Sequence, residues 1–100
     1  MMIIDRIHGD YVHQRRVRVL AEFFASSLPR DLLVLDVGCG DGLLAMTLAR
    51  ARPDLKIVGV DVLERPDCAI TMTTFDGETL PFQQGKFHVV LMADVLHHNK

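Results

Sequence analysis

The stretch LVLDVGCGDG, residues 33–42, decides the fold of this chain. An apolar run ends in an acid and is followed by glycines at positions 38, 40 and 42. Glycine adopts a positive φ angle without steric cost and leaves room for a ligand to approach the backbone. Residues 43–51 then have the pattern of a helix, whose first turn offers unpaired N–H groups and the positive end of the helix dipole. The stretch therefore predicts a strand, a tight loop and a helix that together bind a nucleotide-like ligand.

The rest of the chain also alternates between strand and helix patterns. Residues 12–28 predict an amphipathic helix, and apolar runs predict strands at residues 32–37, 56–60, 69–73 and 88–92. The helix has one apolar stripe, which consists of Val17, Leu20, Ala21, Phe24 and Leu28. Buried-type strands separated by a helix predict an α/β fold, a Rossmann-like open parallel sheet with helices.

The link between the second and third predicted strands is short. Residues 62–68 supply about seven positions, fewer than the dozen that a parallel crossover usually needs. Either the third strand is short and lies at the edge of the sheet, or a loop without a helix makes this crossover.

Several polar residues near the helices have ordinary structural interpretations. Asp41 is the expected N-cap of the helix that begins at Leu43. The arginines at positions 15, 16 and 18 are interpreted as a solvated helix face. Cys39 is interpreted as a small residue of the glycine loop whose backbone matters, because no neighbouring cation in the sequence activates its thiol.

Composition limits the classes of protein to consider. With 100 residues, 49% hydrophobic and 24% charged, the chain fits one globular domain over residues 1–100. A formal net charge of −2 gives no electrostatic basis for a nucleic-acid or membrane partner. Cys39 and Cys68 have no metal-ligand spacing, so no metal site is predicted and both are expected to be reduced thiols. The first residues do not resemble a signal peptide, and the expected location is the cytoplasm.

Acidic residues follow the second and third predicted strands. In an open α/β sheet, ligands bind beyond the carboxyl ends of the strands. Asp61 lies 23 positions after Gly38, where a carboxylate can accept hydrogen bonds from ribose hydroxyls; the alternative is an acid that caps a turn. Asp76, followed by Gly77, could accept from an adenine amine; the alternative is an ordinary Asp-Gly turn.

The spacing of the glycines distinguishes two families of nucleotide-binding loop. A dinucleotide fingerprint requires G-x-G-x-x-G, but position 43 is leucine. Residues 36–42, D-x-G-x-G-x-G, instead resemble motif I of the class I S-adenosylmethionine-dependent methyltransferases. Residues 75–82, 87–92 and 94–98 are similar to the middle of a small bacterial-type member. The chain is thus identified as the N-terminal, cofactor-binding half of such an enzyme.

This resemblance implies a cofactor and a set of site residues. The cofactor would be S-adenosyl-L-methionine, with S-adenosyl-L-homocysteine as the product. The implied binding residues run from the methionine end through the ribose to the adenine and the sulfonium: Asp36, Gly38, Cys39, Gly40, Asp61, Val62, Asp76, Gly77 and Ala93. Asp94 and His97 are the catalytic candidates, and the alternative for His97 is a residue at the start of a helix or in a disordered end.

The sequence also departs from the family pattern. His88 stands where an acid is common, and Met-Ala-Asp-Val at 92–95 replaces the Asn/Asp-Pro-Pro-Tyr signature of many amino-directed members. Family members have seven strands, and the resemblance implies the strand order 3-2-1-4 for the four strands of this sequence. Because the sequence ends after the fourth strand, we expect an incomplete domain that is a fragment of a longer protein. An apolar fourth-strand edge or an uncovered sheet face would then favour a homo-oligomer.

Three functions follow from these patterns. The first is S-adenosylmethionine-dependent methyl transfer to an unidentified, small-molecule acceptor. The alternative is a non-catalytic fragment or interaction module that self-associates through its exposed sheet edge. A nicotinamide-dependent oxidoreductase would share the acid after the second strand, but the glycine spacing is against it.

Overall fold

The computed structural model describes the backbone of residues 2–92 and the side chains of residues 12–92. Two helices and four strands follow one another as α1 (Met2–Ser27), β1 (Leu33–Val37), α2 (Leu43–Ala51), β2 (Lys56–Asp61), β3 (Met72–Thr74) and β4 (Val89–Leu91). The order of these elements agrees with the sequence pattern.

The four strands form one parallel sheet in the order β3-β2-β1-β4. Leu35 at the centre of β1 is in register with Val58 of β2 and Val90 of β4. This arrangement confirms the expected α/β, Rossmann-like sheet and its strand order. No helix separates β2 from β3 in the described residues, and β3 is a three-residue edge strand, so the short crossover is a loop.

The two helices pack on one face of the sheet. Val34 of β1, Leu48 of α2 and Leu91 of β4 belong to one buried cluster, with Leu55, the residue before β2. Val17 and Ala21 of α1 form a second cluster with Leu44 of α2, which confirms the apolar stripe predicted for the first helix. Helix α1 begins at Met2, ten positions before the predicted start; no proline interrupts residues 2–11, and the helix tolerates Gly9.

Strand β3 begins later than the apolar pattern predicts. The residues before it are held by the glycine loop: the Ala69 N–H donates to the Asp41 carbonyl at 2.9 Å, and the Ile70 side chain lies beside Gly42 and Gly59. Pairing with β2 therefore starts only at Met72, opposite Gly59. The prediction of a strand from residue 69 is wrong for this reason.

The sheet face away from the helices is only partly exposed. Leu35 and Val60 point to this face and are 1% and 0% exposed, whereas Val90, on the same face of β4, is 48% exposed. Among the described residues β4 pairs only with β1, so it lies at the edge of the described sheet. No helix within residues 2–92 is both long and apolar enough to cross a membrane.

Candidate ligand-binding site

The loop between β1 and α2, residues 38–42, forms the base of the candidate site and is called the glycine loop below. All three of its glycines have positive φ angles, between 58° and 78°. The N–H groups of Gly38 and Cys39 both donate to the carbonyl of Val60, at 2.8 and 3.1 Å. These bonds turn the chain sharply at the carboxyl end of β1, as the glycine spacing predicts.

Asp61 at the end of β2 connects the glycine loop to the next strand. Its Oδ2 atom accepts a hydrogen bond from the Gly40 N–H at 2.8 Å. Its Oδ1 atom accepts from the N–H groups of Val62 at 2.7 Å and Leu63 at 3.4 Å. An ionised carboxylate has about four acceptor positions, so Asp61 retains capacity for a ligand hydroxyl.

Helix α2 begins at Leu43 as predicted, but its N-cap residue differs from the predicted one. Gly42, with a φ of 78°, is the N-cap residue, and it makes no side-chain capping bond. Asp41, the predicted N-cap, lies one position earlier, and its Oδ1 atom accepts from the Leu43 N–H at 3.0 Å. A side chain at position 42 is excluded because its Cβ would lie 2.9 Å from the Cys68 Sγ and 3.0 Å from the Ala69 nitrogen. Asp41 therefore supports the first turn from outside the helix.

A pocket of about 870 Å³ opens over the glycine loop. Its lining comes from α1, the glycine loop, the β2–β3 loop and the segment after β3: His13, Arg16, Val37, Gly38, Cys39, Gly40, Asp41, Asp61, Val62, Leu63, Arg65, Phe75 and Gly77. The structure thus brings together six of the predicted cofactor-binding residues: Gly38, Cys39, Gly40, Asp61, Val62 and Gly77. Their positions agree with the rule that ligands bind at the carboxyl ends of parallel strands.

Two predicted residues, Asp36 and Asp76, lie outside the pocket lining. Asp36 is 3% exposed and stands in register with Gly59 and Leu91, behind the glycine loop and outside the pocket lining. Asp76 is exposed and also lies outside the lining. Ala93, Asp94 and His97 lie outside the described residues, so their assigned roles stay predictions.

Asp76 has the geometry of a turn residue. Its Oδ1 atom accepts from the N–H groups of Thr79 and Glu78, both at 2.8 Å. These two bonds, the one from Thr79 first, hold the pKa of Asp76 below its usual value. The second carboxylate oxygen receives no bond from a described residue, and its predicted role at an adenine amine stays a prediction.

Cys39 is a buried thiol in the glycine loop. Burial, followed by the neighbouring Cys68 and Asp36, raises the pKa of Cys39 to about 12, so the thiol is protonated at neutral pH. This agrees with its interpretation as a small packing residue. It packs against β2 at Gly59, where an added Cβ would lie 2.6 Å from the Cys39 Sγ. Residue 59 must therefore lack a side chain while residue 39 has a thiol.

Two basic side chains in the lining were not predicted. Arg16 is half-buried beside the pocket, so the prediction of a solvated face is confirmed for the exposed Arg15 and Arg18 but is wrong for Arg16. Arg65, in the β2–β3 loop, also lines the pocket. His13 connects α1 to the loop through Asp41, with 3.8 Å between Nε2 and Oδ2. No local sequence pattern shows which turn of a helix faces a loop 25 residues away.

The pocket can hold a ligand with several polar groups. Asp61 offers acceptor capacity for hydroxyls, and Gly38 and Gly40 line the pocket without side chains of their own. Arg16 and Arg65 belong to the same lining. Among the described residues, no group of histidine, cysteine and carboxylate side chains is arranged to hold a metal ion.

Comparison with protein families gives one match over this architecture. A family model described as a methyltransferase domain matches residues 10–100. The match includes the glycine loop, both strand-end acids and the whole pocket lining described above.

Proposed function

Because the chain belongs to the methyltransferase domain family, we propose that its pocket binds S-adenosyl-L-methionine and that the chain serves methyl transfer to a small-molecule acceptor. The observation that carries this proposal is the hydrogen bond between Asp61 and Gly40. It joins an acidic side chain suited to a ribose with the loop suited to the remainder of the cofactor.

The ribose would lie against Asp61. The carboxylate already accepts a short bond from Val62 and a long one, 3.4 Å, from Leu63. Ribose hydroxyls are donors, and the remaining lone pair, together with that occupied by the weak Leu63 bond, gives them two acceptor positions. Phe75 and Gly77, after β3, line the same pocket, where an adenine ring would extend from the ribose.

The methionine part would lie along the glycine loop. Gly38 and Gly40 have no side chains above the pocket, so a ligand can contact the backbone there. When bound, the cofactor supplies a methyl group on a positively charged sulfur. The chain's own contribution is to hold that group in one orientation relative to an acceptor, so that proximity and alignment lower the barrier.

The class of methyl acceptor is proposed from the charge of the chain. A small molecule is proposed because the formal net charge of −2 gives no electrostatic basis for a nucleic-acid acceptor. The two free cysteines fit a reducing compartment, and we place the activity in the cytoplasm on that ground.

Isothermal titration with S-adenosylmethionine and S-adenosylhomocysteine tests this proposal. We expect saturable binding of both, lost in Asp61→Ala and retained in Asp67→Ala, a matched change of an exposed acid outside the pocket lining. Equal binding by the two variants would contradict the ribose role of Asp61. Failure of the folded unmodified chain to bind either ligand would contradict the proposed cofactor.

A second candidate function is a non-catalytic module that self-associates. The observation in its favour is the apolar surface on and after β4, where Val90 is 48% and Met92 is 53% exposed. An edge strand with apolar side chains pairs readily with another chain. Concentration-dependent sedimentation together with absence of cofactor binding would favour this function over methyl transfer.

A further inference from the structure

The two cysteines of the chain, Cys39 and Cys68, are 29 positions apart in the sequence but adjacent in the structure. Cys39 belongs to the glycine loop, and Cys68 lies in the loop between β2 and β3. Burial is the largest cause of the raised pKa of the Cys39 thiol, and the Cys68 side chain adds to it both through its charge and as a hydrogen-bond partner. A hydrogen bond acts only over a short distance, so the two sulfur atoms are neighbours. Both cysteines are free thiols.

The backbones around the two thiols are also in direct contact. The Ala69 N–H donates to the Asp41 carbonyl at 2.9 Å. The Cys68 Sγ atom would lie 2.9 Å from a Cβ at Gly42, and the Gly42 N–H donates to the Cys39 carbonyl at 2.9 Å. Packing as close as this, with the thiols adjacent, is what a disulfide needs, because its sulfur atoms must meet without a large shift of the backbone.

The two thiols differ in their access to solvent. Cys39 is 6% exposed, whereas Cys68 is half-buried between the exposed residues Asp67 and Ala69. A dissolved reagent therefore reaches Cys68 first. Cys39 is shielded from the reagent but lies beside any group that Cys68 acquires, so proximity favours its reaction with that group. An accessible thiol next to a second, resolving thiol is the arrangement of a redox-sensitive pair.

We propose that Cys39 and Cys68 form a reversible disulfide when the chain meets a low-molecular-weight disulfide such as oxidised glutathione, and that this bond weakens ligand binding in the pocket. The Cys68 thiolate attacks one sulfur of oxidised glutathione and releases one glutathione thiolate. The Cys39 thiol then gives up its proton and attacks the Cys68 sulfur of the mixed disulfide, which releases the second glutathione thiolate. The two protein thiols lose two electrons and two protons, and one oxidised glutathione becomes two glutathione thiols.

The β2–β3 loop is the part expected to shift when the bond forms. Bonded sulfur atoms lie about 2 Å apart, closer than two sulfur atoms in contact, so one segment must move toward the other. The glycine loop is fixed to β2 through two hydrogen bonds to the Val60 carbonyl. Residues 65–68 instead form a turn with an exposed tip, closed by the bond from the Cys68 N–H to the Arg65 carbonyl at 3.0 Å.

A shift of this turn narrows the pocket above Gly40. Arg65, at the start of the turn, lines the pocket, and its Nη2 atom would already lie 3.5 Å from a Cβ at Gly40. Movement toward the glycine loop therefore takes space from a ligand that contacts this loop. The effect on S-adenosylmethionine binding rests on the proposed function, whereas the formation of the disulfide does not.

Incubation of the full chain with oxidised glutathione, followed by blocking of free thiols in denaturant, tests whether the bond forms. Mass spectrometry of the protein and of its peptides identifies the product. We expect the peptides that contain Cys39 and Cys68 to be cross-linked, with no glutathione retained, and we expect dithiothreitol to restore both thiols. Glutathione retained on the unmodified chain would overturn the proposal, because the second thiol would then have failed to displace it.

Two matched variants separate the roles of the thiols. Cys39→Ser keeps the accessible thiol, so it is expected to stop at a mixed disulfide with glutathione. Cys68→Ser keeps the buried thiol and is expected to stay unmodified over the same time. Equal modification of the two variants would contradict the proposed order of reaction. Far-UV circular dichroism checks that each variant is folded, and the unmodified chain decides whether the bond forms even where a variant is not.

Isothermal titration with S-adenosylmethionine tests the effect on the pocket. The oxidised chain is expected to bind roughly tenfold more weakly than the reduced chain, and dithiothreitol should restore the affinity. Cys68 lies outside the pocket lining, so Cys68→Ser should bind like the reduced chain before and after treatment with oxidised glutathione. Equal affinity of the oxidised and reduced chains would overturn the effect on binding. If the reduced chain does not bind, the proposed function and this effect fall together, and the mass measurement still decides whether the disulfide forms.

Discussion

Gly40 donates its backbone N–H to the Oδ2 atom of Asp61 at 2.8 Å, so the turn after β1 is fastened to the last residue of β2. The glycine loop and the end of β2, which are expected to contact different parts of one ligand, are therefore held together by this bond. A preorganised site of this kind spends less of its binding energy on ordering its own loop. The same bond makes Asp61 both a structural and a ligand-contacting residue, and a substitution must be designed to separate these roles.

Replacing Asp61 should affect stability in proportion to the acceptors removed. Asp61→Asn keeps one acceptor oxygen, so we expect it to lower the free energy of unfolding by about 1 kcal/mol. Asp61→Ala leaves the N–H groups of Gly40, Val62 and Leu63 without their acceptor, so it should lower the free energy of unfolding by about 2–3 kcal/mol. Urea unfolding monitored by circular dichroism measures both values. Identical stability of the two variants would show that the acceptor oxygen retained in Asp61→Asn does not stabilise the fold.

The ion pair between Arg52 and Asp54 predicts a dependence of stability on pH. The hydrogen bonds from Arg52, followed by the bond from the Asp31 N–H, hold the pKa of Asp54 well below its usual 3.8. A carboxyl whose folded-state pKa is depressed stabilises the protein above its unfolded-state pKa, and the contribution is lost as pH falls toward the folded-state pKa. Asp54→Asn should therefore have a lower Tm than the unmodified chain at pH 7, and the difference should shrink below about pH 4.

Thermal unfolding of both chains between pH 2 and pH 7 measures this difference. Asp67→Asn, an exposed acid in the β2–β3 loop, is the control for a general loss of charge. A Tm difference that stays constant over this range would mean that the ion pair is not the cause.

His88 predicts a second, independent effect on stability. Its ring Nδ1 atom accepts a hydrogen bond from the Leu33 N–H at 2.8 Å, while its backbone N–H donates to the Leu33 carbonyl at 2.9 Å. The two bonds together extend the pairing of β1 and β4 by one residue. His88→Ala should cost about 0.5–1.5 kcal/mol, and His88→Asp, which restores a side-chain acceptor, should cost less. Chemical unfolding measures the free energy of unfolding of both variants. A larger loss of stability for His88→Asp than for His88→Ala would refute the acceptor role of the ring.

The exposed side chain of Val90 predicts weak self-association. A charge on an apolar edge strand opposes pairing with another chain, so Val90→Glu should remain monomeric at concentrations where the unmodified chain associates. Sedimentation velocity over a hundredfold range of concentration gives the comparison. Val19→Glu changes an equally exposed valine on α1 and should leave association unchanged. A monomer at every concentration without either substitution would refute the prediction.

The parts of the fold that were predicted are those with a local pattern. The glycine loop has positive φ angles at all three glycines, and the flanking β1 and α2 are read from continuous apolar and helical runs. The strand order was predicted only from the resemblance to a family, because the sequence of one strand does not indicate which other strands lie beside it. Asp61 could be predicted as a site residue from its position at the end of β2, whereas its bond to Gly40 could not be predicted from the sequence.

The parts that were missed depend on contacts between distant segments. Ile70 looked like a strand residue, but its side chain fills space beside Gly42 and Gly59 rather than pairing in the sheet. Arg16 has the same local surroundings as its exposed neighbours on α1, and only the packing of α1 on α2 turns it to the pocket. Arg65 lies in a loop without periodicity, so nothing in its sequence context indicates that it reaches Gly40.

The contact between Gly59 and Cys39 also restricts how this sequence can diverge. An alanine at position 59 would meet the Cys39 Sγ at 2.6 Å and the Cys39 Cβ at 2.8 Å, and neither can withdraw from a packed loop without cost. Alanine at 59 requires that position 39 has become glycine and that the Ile70 side chain shifts, because its Cδ1 atom would lie 3.0 Å from the added Cβ. Natural variation at these two positions is therefore expected to follow a fixed historical order: the loop residue changes first, the strand residue follows, and the opposite order passes through an unstable ancestor.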